Sequence, residues 1–427
     1  MKRYSEYKDS GVKWIGEIPG HWKISHIKHH SQFINGYAFD SKIFNNNNKG
    51  VKVIRIGNID GTLNYDTCIF ASIESNLIRQ FKTCKNDILI AMSGATIGKS
   101  CKVSEDDEAY INQRVGIIRC QCFSYMHYYI QAPLFRIFID INNAGCAQPN
   151  ISSSTIGNML FPIPPLNEQE AIVTYLDSKV AKIDEYISIA EKKIAALEEL
   201  KQTIIAEAVT RGIHKDVPMK DSGVKWIGMI PEHWKVSKIR SLLKLSSEKT
   251  DEPNATLLSL SQYTGVKLKS ECERTGMFEA ENTIGYNVVH KGQFVMNIML
   301  AWNGSYSVSK YDGVISPAYC VFDFIADCNK DYYDYLLRLK SYSGAFKTLS
   351  KGLIDSRLRL YPNYFKTFPI LIPPLNEQQE IVTYLDSKVA NINQLCQAER
   401  SQIEKLKEYK QRLISDVVTG KVKVTND

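Results

Sequence analysis

The sequence predicts an α+β protein built from two similar domains, each followed by a long helix, with the two long helices packed against each other. Three observations predict this fold class: an internal repeat, strand-like runs inside each repeat, and a heptad pattern of apolar residues after each of them. A chain of 427 residues is also long enough for two or three domains with separate cores.

The internal repeat is the strongest of these observations. Residues 8–25 recur at 220–237 with 15 of 18 positions identical, and residues 163–181 recur at 372–390 with 17 of 19 identical. We call these four segments the frames. The inserts between them, about 26–162 and 238–371, differ from each other. Near-identical frames around divergent inserts indicate two units that dock in the same way but contact different targets, with gene duplication and drift as the alternative.

Both inserts contain runs rich in isoleucine and valine, which is typical of β-strands. The runs are VKVIRIGNID (51–60), NDILIAM (86–92) and RVGIIRC (114–120) in the first insert, and GQFVMNIML (292–300) and SPAYCVFDF (316–324) in the second. The stretch SGATIGKS (93–100) is similar to a phosphate-binding loop, but Ser93 occupies the position of the first glycine. We therefore expect a strand–turn–strand there and no nucleotide site.

A long helix is predicted after each insert. Pairs of prolines at 164–165 and 373–374 exclude an earlier helix start. Gly212 and Gly420 mark the two helix ends. The residues predicted to form capping boxes are Asn167 with Glu170 and Asn376 with Gln379.

Apolar residues follow a heptad rhythm within each predicted helix, as in a coiled coil. About 40 helical residues span roughly 60 Å, so two packed helices make a stiff spacer; a pair of ordinary core helices is the alternative. The residues predicted to form the spacer and to dock partners are Leu176, Val180, Ile183, Ile187, Leu385, Val389 and Ile392.

Positive charge is concentrated in two blocks, each of which contains an insert and the frame before it. Residues 1–161 and 215–374 each carry a net charge of +5, whereas 162–214 carry −3 and 375–427 carry none. Two basic blocks suit contact with a polyanion at two places. Basic and amide side chains near turns can contact phosphates and base edges. The candidate DNA-binding residues are Lys42, Lys99, Asn112, Gln113, Arg114, Gln148, Asn150, Asn303, Lys351, Arg357 and Arg359.

Aromatic residues are predicted to serve packing. Four tryptophans belong to the frames, and docking of a partner subunit is the alternative role for them: Trp14, Trp22, Trp226 and Trp234. The tyrosines at 125, 128 and 129 are expected in a core and not in a base-stacking surface. The closest cysteines, Cys120 and Cys122, lack the spacing and the nearby histidines of a zinc site, so no metal site is expected.

The sequence contains no motif that predicts catalysis. Neither Pro-Pro pair precedes an aromatic residue, as the motif of a DNA adenine methyltransferase requires, and no nuclease, helicase or metalloprotease pattern is found. We expect a protein that binds and gives specificity to enzymes carried on other chains. The first residues do not form a secretory signal and no apolar run is long enough for a membrane helix, so a cytoplasmic location is expected.

These features together resemble the specificity subunit of type I restriction–modification systems. The resemblance rests on an ordered set of motifs that occurs twice, including WIGEIPGHWKIS, VIRIGNI, NDILIAMSGATIGK, AQPNISS and PIPPLNEQ, with KGQFV, ISPAY and PILIPPLNEQ in the second copy. The second insert shows NIMLAWNGSYS where the first has SGATIGK, so contact residues cannot be transferred from one insert to the other.

The resemblance implies target-recognition domains at 1–162 and 214–371 and spacer helices at 163–213 and 372–427, with the helices packed as an antiparallel coiled coil in a pseudo-twofold arrangement. Each recognition domain would read one half of a bipartite, asymmetric site in double-stranded DNA. Two modification subunits would methylate adenine at N6 with S-adenosylmethionine, and two restriction subunits that use ATP and Mg²⁺ can join them. The chain itself would carry no cofactor and no catalytic residue.

Two other functions stay open at this point. One is a self-contained DNA methyltransferase or nuclease whose active site follows no familiar motif. The other is a coiled-coil scaffold that never contacts DNA.

Overall fold

Two structural units divide the chain, and each unit contains part of both long helices. The first comprises Met1–Glu191 and Arg400–Asp427, and the second comprises Lys192–Glu399. The structure is a computed structural model that describes residues 2–45, 47–105, 108–143, 149–214, 216–272, 282–352 and 358–424.

The centre of the first unit is a four-stranded antiparallel sheet with the strand order Ser100–Lys102, Ile88–Ala91, Val115–Cys120, Ser31–Asn35. Its strand Ile88–Ala91 is apolar at every position because both faces of the sheet are covered. Ile88 and Ile90 pack in the core that contains the helices, whereas Leu89 packs in a separate apolar cluster on the opposite face.

The first unit contains further strands and helices around this sheet. A second four-stranded sheet has the order Ala109–Ile111, Val51–Ile54, Ile69–Ala71, Phe44–Asn45, and its first two strands run parallel. Three strand pairs complete the unit: Tyr7–Asp9 with Glu17–Pro19, Lys23–His26 with Leu160–Ile163, and Ile59–Asp60 with Thr62–Leu63. The α-helices of the insert are Phe123–Gln131, Pro133–Asn142 and Ser153–Gly157. Short 3₁₀ helices cover Ile27–His29, Ser41–Ile43, Ile56–Asn58, Ser75–Phe81 and Gly94–Thr96.

The second unit repeats the central sheet. Its strand order, given from the same edge as in the first unit, is Tyr306–Val308, Phe294–Asn297, Tyr319–Phe324, Leu243–Leu245. The prediction that both inserts share a mixed α+β fold is therefore confirmed. Its other strand pairs are Met219–Asp221 with Met229–Pro231, Lys235–Lys238 with Pro369–Ile372, Leu258–Ser261 with Gly265–Leu268, and Asn287–Val289 with Gly313–Ile315. Its insert helices are Lys330–Leu337, Lys340–Leu349 and Pro362–Phe365, with 3₁₀ helices at Ile239–Ser241, Lys269–Glu271 and Ala301–Asn303.

The first long helix is Leu166–Arg211 and the second is Leu375–Val418, with 46 and 44 residues. Both begin earlier than the predicted capping boxes. The amide of Gln169 donates to the carbonyl of Pro165, and the equivalent bond joins Gln378 to Pro374. The N-cap is therefore the second proline, which lacks an N–H that would need a partner, and Asn167 and Asn376 lie inside the first turn. The prediction of these two asparagines as N-caps is wrong.

The helix ends agree with the predicted glycines. Gly212 and Gly420 have φ angles of 79° and 74°, the left-handed region that a glycine adopts at low cost just beyond a helix. The amide of Gly420 donates to the carbonyl of Val417, and that of Gly212 donates to Ala208.

The two long helices contact each other within each unit. In the first unit, Leu176 and Ile183 share a core with Leu413 and Val417. In the second unit, Lys193 Nζ lies 2.5 Å from Glu399 Oε1, and Lys201 Nζ lies 3.1 Å from Asn393 Oδ1. Higher numbers on one helix pair with lower numbers on the other, so the helices run antiparallel.

The tyrosines of the first insert and the turn that follows the strand Ile88–Ala91 lie as the sequence predicts. Tyr125 and Tyr129 are fully buried in the core, and residues 93–100 form a turn between two strands, as predicted. No helix among the described residues combines the length and the apolar character that a membrane-spanning segment requires.

The two helix-end glycines provide a matched pair of substitutions. A Cβ at Gly420 would lie 2.4 Å from Pro19 Cδ and 3.0 Å from Trp22, whereas a Cβ at Gly212 would lie 3.5 Å from Trp234, which is an ordinary contact. We expect G212A to cost about 1 kcal/mol, through the left-handed backbone alone, and G420A to cost about 2–4 kcal/mol because the clash is added. Urea unfolding of both variants measures the difference, and equal destabilisation would contradict the packing at Gly420.

Candidate nucleic-acid interface

A carboxylate joins the first frame of each unit to the start of a long helix, and it is buried in the first unit and half-buried in the second. In the first unit, Glu168 accepts hydrogen bonds from Trp22 Nε1 at 3.0 Å and from the Tyr4 hydroxyl at 2.8 Å, and its other oxygen lies 2.6 Å from His21 Nε2. We call these four residues the Glu168 cluster. Trp22 is fully buried, so its indole N–H depends on this carboxylate for a partner.

The hydrogen bonds set the charge state of Glu168. Burial acts to raise the pKa of Glu168, but the hydrogen bonds from Tyr4, His21 and Trp22 outweigh it and hold the pKa below its ordinary value. The carboxylate therefore stays ionised at neutral pH. It also lies in the first turn of the first long helix, where the helix dipole stabilises a negative charge.

The second unit repeats this arrangement. Glu377 accepts from Trp234 Nε1 at 2.9 Å and lies 2.6 Å from His233 Nε2. We call these three residues the Glu377 cluster. His21-Trp22 and His233-Trp234 end the same frame motif, and Glu168 and Glu377 occupy the same position of the motif LNEQ. The identical frame residues are thus the residues that hold each insert to a helix start.

Each unit also holds the end of the other long helix. The Tyr125 hydroxyl donates to the carbonyl of Pro162 and to that of Val418, both at 2.9 Å. In the second unit, the Tyr332 hydroxyl donates to the carbonyl of Val209 at 2.8 Å. The bonds to Val418 and Val209 satisfy carbonyls in the last turn of each long helix that have no partner inside the helix. The start of one helix and the end of the other are therefore fixed to a single domain.

The candidate contact residues of the first unit gather at one end of the central sheet. The turn that contains Asn112, Gln113 and Arg114 precedes the strand Val115–Cys120, and the carbonyl of Arg114 accepts from the amide of Met92 at 2.9 Å. Asn150 pairs with Ser93 as an isolated β-bridge. Gln113, Arg114 and Asn150 are exposed, and Asn112 is half-buried. We call residues 92–99, 112–114 and 149–150 the reading turns of the first unit.

Two other candidates of the first unit have different surroundings. Lys99 lies within the reading turns, but its Nζ forms an ion pair of 2.9 Å with Asp60, so part of its charge is already neutralised. Lys42 is exposed on a 3₁₀ helix that leads into the second sheet. The structure therefore brings Asn112, Gln113, Arg114, Asn150 and Lys99 to neighbouring turns, whereas Lys42 lies on a separate 3₁₀ helix.

The second unit places its candidates on the same backbone scaffold. The amide of Leu360 donates to the carbonyl of Ile298 at 2.9 Å, as that of Ile151 donates to Met92 in the first unit. Asn303 is exposed at the end of the turn that follows Ile298. Lys351 and Arg359, both exposed, pair through their backbones. The Lys351 ammonium lies 4.6 Å from the centre of the Tyr364 ring.

The equivalent turns carry different chemistry in the two units. The register of the central strands places Ala91 opposite Val115 and Asn297 opposite Tyr319. Residues 316–318, with the sequence Ser-Pro-Ala, therefore correspond to residues 112–114, with the sequence Asn-Gln-Arg. The first turn offers two amides and a guanidinium, whereas the second offers a hydroxyl and apolar groups.

Two candidates, Gln148 and Arg357, lie outside the described residues. The spacer residues lie between the helices: Leu176, Ile183, Leu385 and Ile392 are buried, and Val180, Ile187 and Val389 are half-buried. No group of three or more residues suited to hold a metal ion occurs within the described part of the chain.

Sequence patterns did not single out His21, Glu168, His233 and Glu377, although these residues hold each insert to a helix start. Their signal was present, because an exposed histidine and a glutamate are retained in both copies of a frame. It could not be assigned because the partners are 147 and 144 residues apart in sequence. Two tyrosine–aspartate bonds escaped prediction for the same reason: Tyr128 to Asp177 at 2.5 Å and Tyr335 to Asp386 at 2.8 Å.

Comparisons with known proteins agree on one family. The family model described as "Type I restriction modification DNA specificity domain" matches residues 19–199 and 231–405. The chain is 22% identical to the StySPI specificity subunit of Salmonella potsdam, over 95% of this chain and 90% of that protein. It is 27% identical to the EcoBI specificity subunit of Escherichia coli, over 56% of this chain and only 50% of that protein.

A solved structure shows a similar fold. One chain of a structure described as "Structural basis underlying complex assembly and conformational transition of the type I R-M system" superposes with a TM-score of 0.68 at 15% identity. The match covers 95% of this chain and 99% of that one.

The Glu168 cluster gives a prediction for stability. We expect E168Q to lower the free energy of unfolding by about 1–3 kcal/mol, the range for hydrogen bonds to a charged group. E377Q should behave alike in the second unit. The exposed neighbour Glu170 provides the matched control, since E170Q should change the free energy by less than about 0.5 kcal/mol.

The effect should depend on pH. Because the folded-state pKa of Glu168 lies below its ordinary value, the contribution of the ionised group is complete above about pH 4.3 and is lost as the pH falls through the folded-state pKa. The difference in melting temperature between the wild type and E168Q should therefore narrow between pH 7 and pH 3. A difference that does not change over this range would contradict the assignment.

Proposed function

The chain belongs to the type I restriction modification DNA specificity family, and on this basis we propose that each of its two units recognises one half of a bipartite, asymmetric DNA target. It is a DNA specificity subunit, and the finer assignment of its parts is our proposal. The recognition domains are residues 1–162 and 214–371, and the spacer helices are 163–213 and 372–427.

The observation that supports this proposal is that the two units share one backbone fold but carry different side chains on the equivalent turns. The central sheet, the strand register and the hydrogen bond from Ile151 or Leu360 are alike in both units, but residues 112–114 and 316–318 present different groups. Base edges in the major groove differ in their pattern of donors and acceptors. Two domains of one shape with different contact groups therefore suit two different half-sites.

The long helices set the distance between the half-sites. With 46 and 44 residues at about 1.5 Å each, they are roughly 65–70 Å long. Their buried heptad positions and the bond of Lys193 to Glu399 favour a stiff pair. A fixed length implies a gap of constant size between the two recognised sequences.

Partner subunits supply the catalysis. We infer that two modification subunits dock on the duplicated frames, because exposed frame residues such as Thr174 and Thr383 are retained in both copies. These partners bind S-adenosylmethionine and methylate adenine at N6, and two restriction subunits that use ATP and Mg²⁺ join them. The chain itself contributes DNA recognition in the cytoplasm and holds no cofactor.

The decisive experiment compares the chain alone with the assembled complex. The purified chain is incubated with DNA and labelled S-adenosylmethionine, with and without its modification subunits. Methylation only in the presence of the partners supports the proposal. Methylation or cleavage by the chain alone would make it an enzyme, and a complex without sequence-specific DNA binding would make it a scaffold.

The reading turns of the first unit give a prediction for specificity. We expect R114A and Q113A to relax base discrimination at one half-site by about 1–3 kcal/mol each, the range for a lost bidentate contact. The loss of base discrimination is measured by sequencing the methylated adenines in DNA that has been treated with the complex. The other half-site is the internal control, and loss of discrimination at both half-sites would contradict the division between the units.

The spacer gives a prediction for the gap. One heptad is inserted after Ile194 and another after Glu399, because the contact of Lys193 with Glu399 places these two points side by side. The insertions keep the heptad pattern in phase and lengthen each helix by about 10 Å. This length corresponds to about three base pairs. We expect a longer gap with both half-sites unchanged, as mapped by methylation sequencing. Altered half-sites with an unchanged gap would contradict the role of the helices.

A further inference from the structure

A cationic hollow lies on the second unit at a place that the reading turns do not include. It has a volume of about 480 Å³ and is lined by Lys238 and Arg240 together with three hydroxyl residues, Ser237, Ser241 and Thr367. None of the residues that line it carries a carboxylate. Among the described residues, neither Lys238 nor Arg240 takes part in an ion pair, so both charges face solvent.

The local fold explains why these residues stand together. The strand Lys235–Lys238 pairs with Pro369–Ile372 and continues into the 3₁₀ helix Ile239–Ser241. The amide of Ile239 donates to the carbonyl of Phe368 at 2.9 Å, and its side chain is fully buried. This anchor leaves the residues on either side, Lys238 and Arg240, exposed next to each other.

The first unit has a similar surface at the equivalent position. Ile27 is fully buried, and its amide donates to the carbonyl of Met159 at 3.0 Å. His26 and Lys28 flank it, and Lys28 Nζ donates to the neutral Asn158 side chain at 2.7 Å. An adjacent hollow of about 600 Å³, whose lining includes Lys28 and His29, also lacks carboxylates.

This surface contrasts with the reading turns. Both units place a basic residue or a histidine on each side of a buried isoleucine, although these residues lie beyond the near-identical frames and differ in type. The reading turns, by comparison, change from Asn-Gln-Arg to Ser-Pro-Ala. A group that contacts bases must change with the sequence recognised, whereas a group that contacts phosphate meets the same chemistry on every DNA.

We propose that the surface formed by Lys238 and Arg240, and the corresponding surface of Lys28 in the first unit, each bind a phosphodiester group of the DNA backbone. This inference rests on the proposed function, because it assigns a second contact to a domain that already recognises DNA. The Lys238 ammonium and the Arg240 guanidinium supply both the positive charge and the N–H donors from which phosphate oxygens accept hydrogen bonds. The hydroxyls of Ser241 and Thr367 already donate to backbone carbonyls.

The distance from the reading turns suits this role. In the first unit, the strand Ser31–Asn35 leads from the region of Lys28 to Gly36, whose amide donates to the carbonyl of Val115 beside the reading turns. Five strand residues span about 15 Å. The major groove of B-DNA is about 12 Å wide, which is similar to the length of this strand. If the reading turns contact base edges in the groove, Lys28 at the other end of the strand can therefore contact a backbone phosphate.

The test uses the full chain in complex with its modification subunits and measures DNA affinity at several salt concentrations. We expect the double variant K238Q/R240Q to bind its target and an unrelated duplex more weakly by a similar factor. The slope of log K against log salt should fall by about 1–2, because each phosphate contact contributes about 0.9. K28Q should reduce the slope by about 1. The half-sites that are methylated should not change.

Matched variants separate this role from a general loss of charge. Lys310 is exposed on the turn between Tyr306–Val308 and Gly313–Ile315, and K310Q should keep the wild-type affinity and slope. K238R/R240K retains both charges and should restore most of the affinity. Melting temperatures of all variants should match the wild type, since the changed side chains are exposed.

Several results would overturn the proposal. An unchanged salt slope in K238Q/R240Q, or a loss confined to the specific target, would exclude a phosphate contact. Failure of that variant to assemble with the modification subunits would assign the surface to an acidic partner. Stabilisation of the free complex by inorganic phosphate that disappears in the variant, with DNA affinity intact, would assign it to a free anion. If the wild type itself recognises no sequence, the proposed function fails instead.

Discussion

A carboxylate at the start of each long helix is the constraint on which the internal arrangement of each unit depends. Glu168 receives the indole N–H of Trp22, and Glu377 receives that of Trp234. An indole N–H without a partner in an apolar core is costly, and each tryptophan lies within the first frame of its domain. The domain therefore has one favourable orientation on its helix. The same domain binds the end of the other helix through Tyr125 or Tyr332, so the position of its reading turns follows from these few bonds.

Much of the fold could be predicted from the sequence because the relevant signals are local. Runs rich in isoleucine and valine predicted strands of the central sheets, and the heptad pattern predicted burial at Leu176, Ile183, Leu385 and Ile392. The helix starts were misplaced by two residues, because a good capping residue such as Asn167 competes with a proline whose advantage is that it has no N–H to satisfy.

Less of the candidate site could be predicted, because its geometry depends on contacts between distant parts of the chain. The ion pair of Lys99 with Asp60 cannot be inferred from either residue alone. The turns after Met92 and Ile298 have the same backbone arrangement, because their carbonyls accept hydrogen bonds from Ile151 and Leu360. Their side chains differ, so the sequence does not show this equivalence. The paired histidine and glutamate of the frames are identical in both copies. Sequence identity between the copies does not show, however, that the histidine contacts the glutamate.

The placement of the frames has a consequence for how such a protein can evolve. Each insert is bounded by near-identical segments on both sides, and those segments hold the residues that fix it to the helices. A genetic crossover within the codons of 163–181, with another gene that has the same frames, would join a whole first insert from one gene to a whole second insert from the other. The carboxylate and its tryptophan would be present in the recombinant product, so the new domain would fold onto the old helices. Under the proposed function, one exchange of this kind would give a new combination of half-sites without any change to the partner subunits.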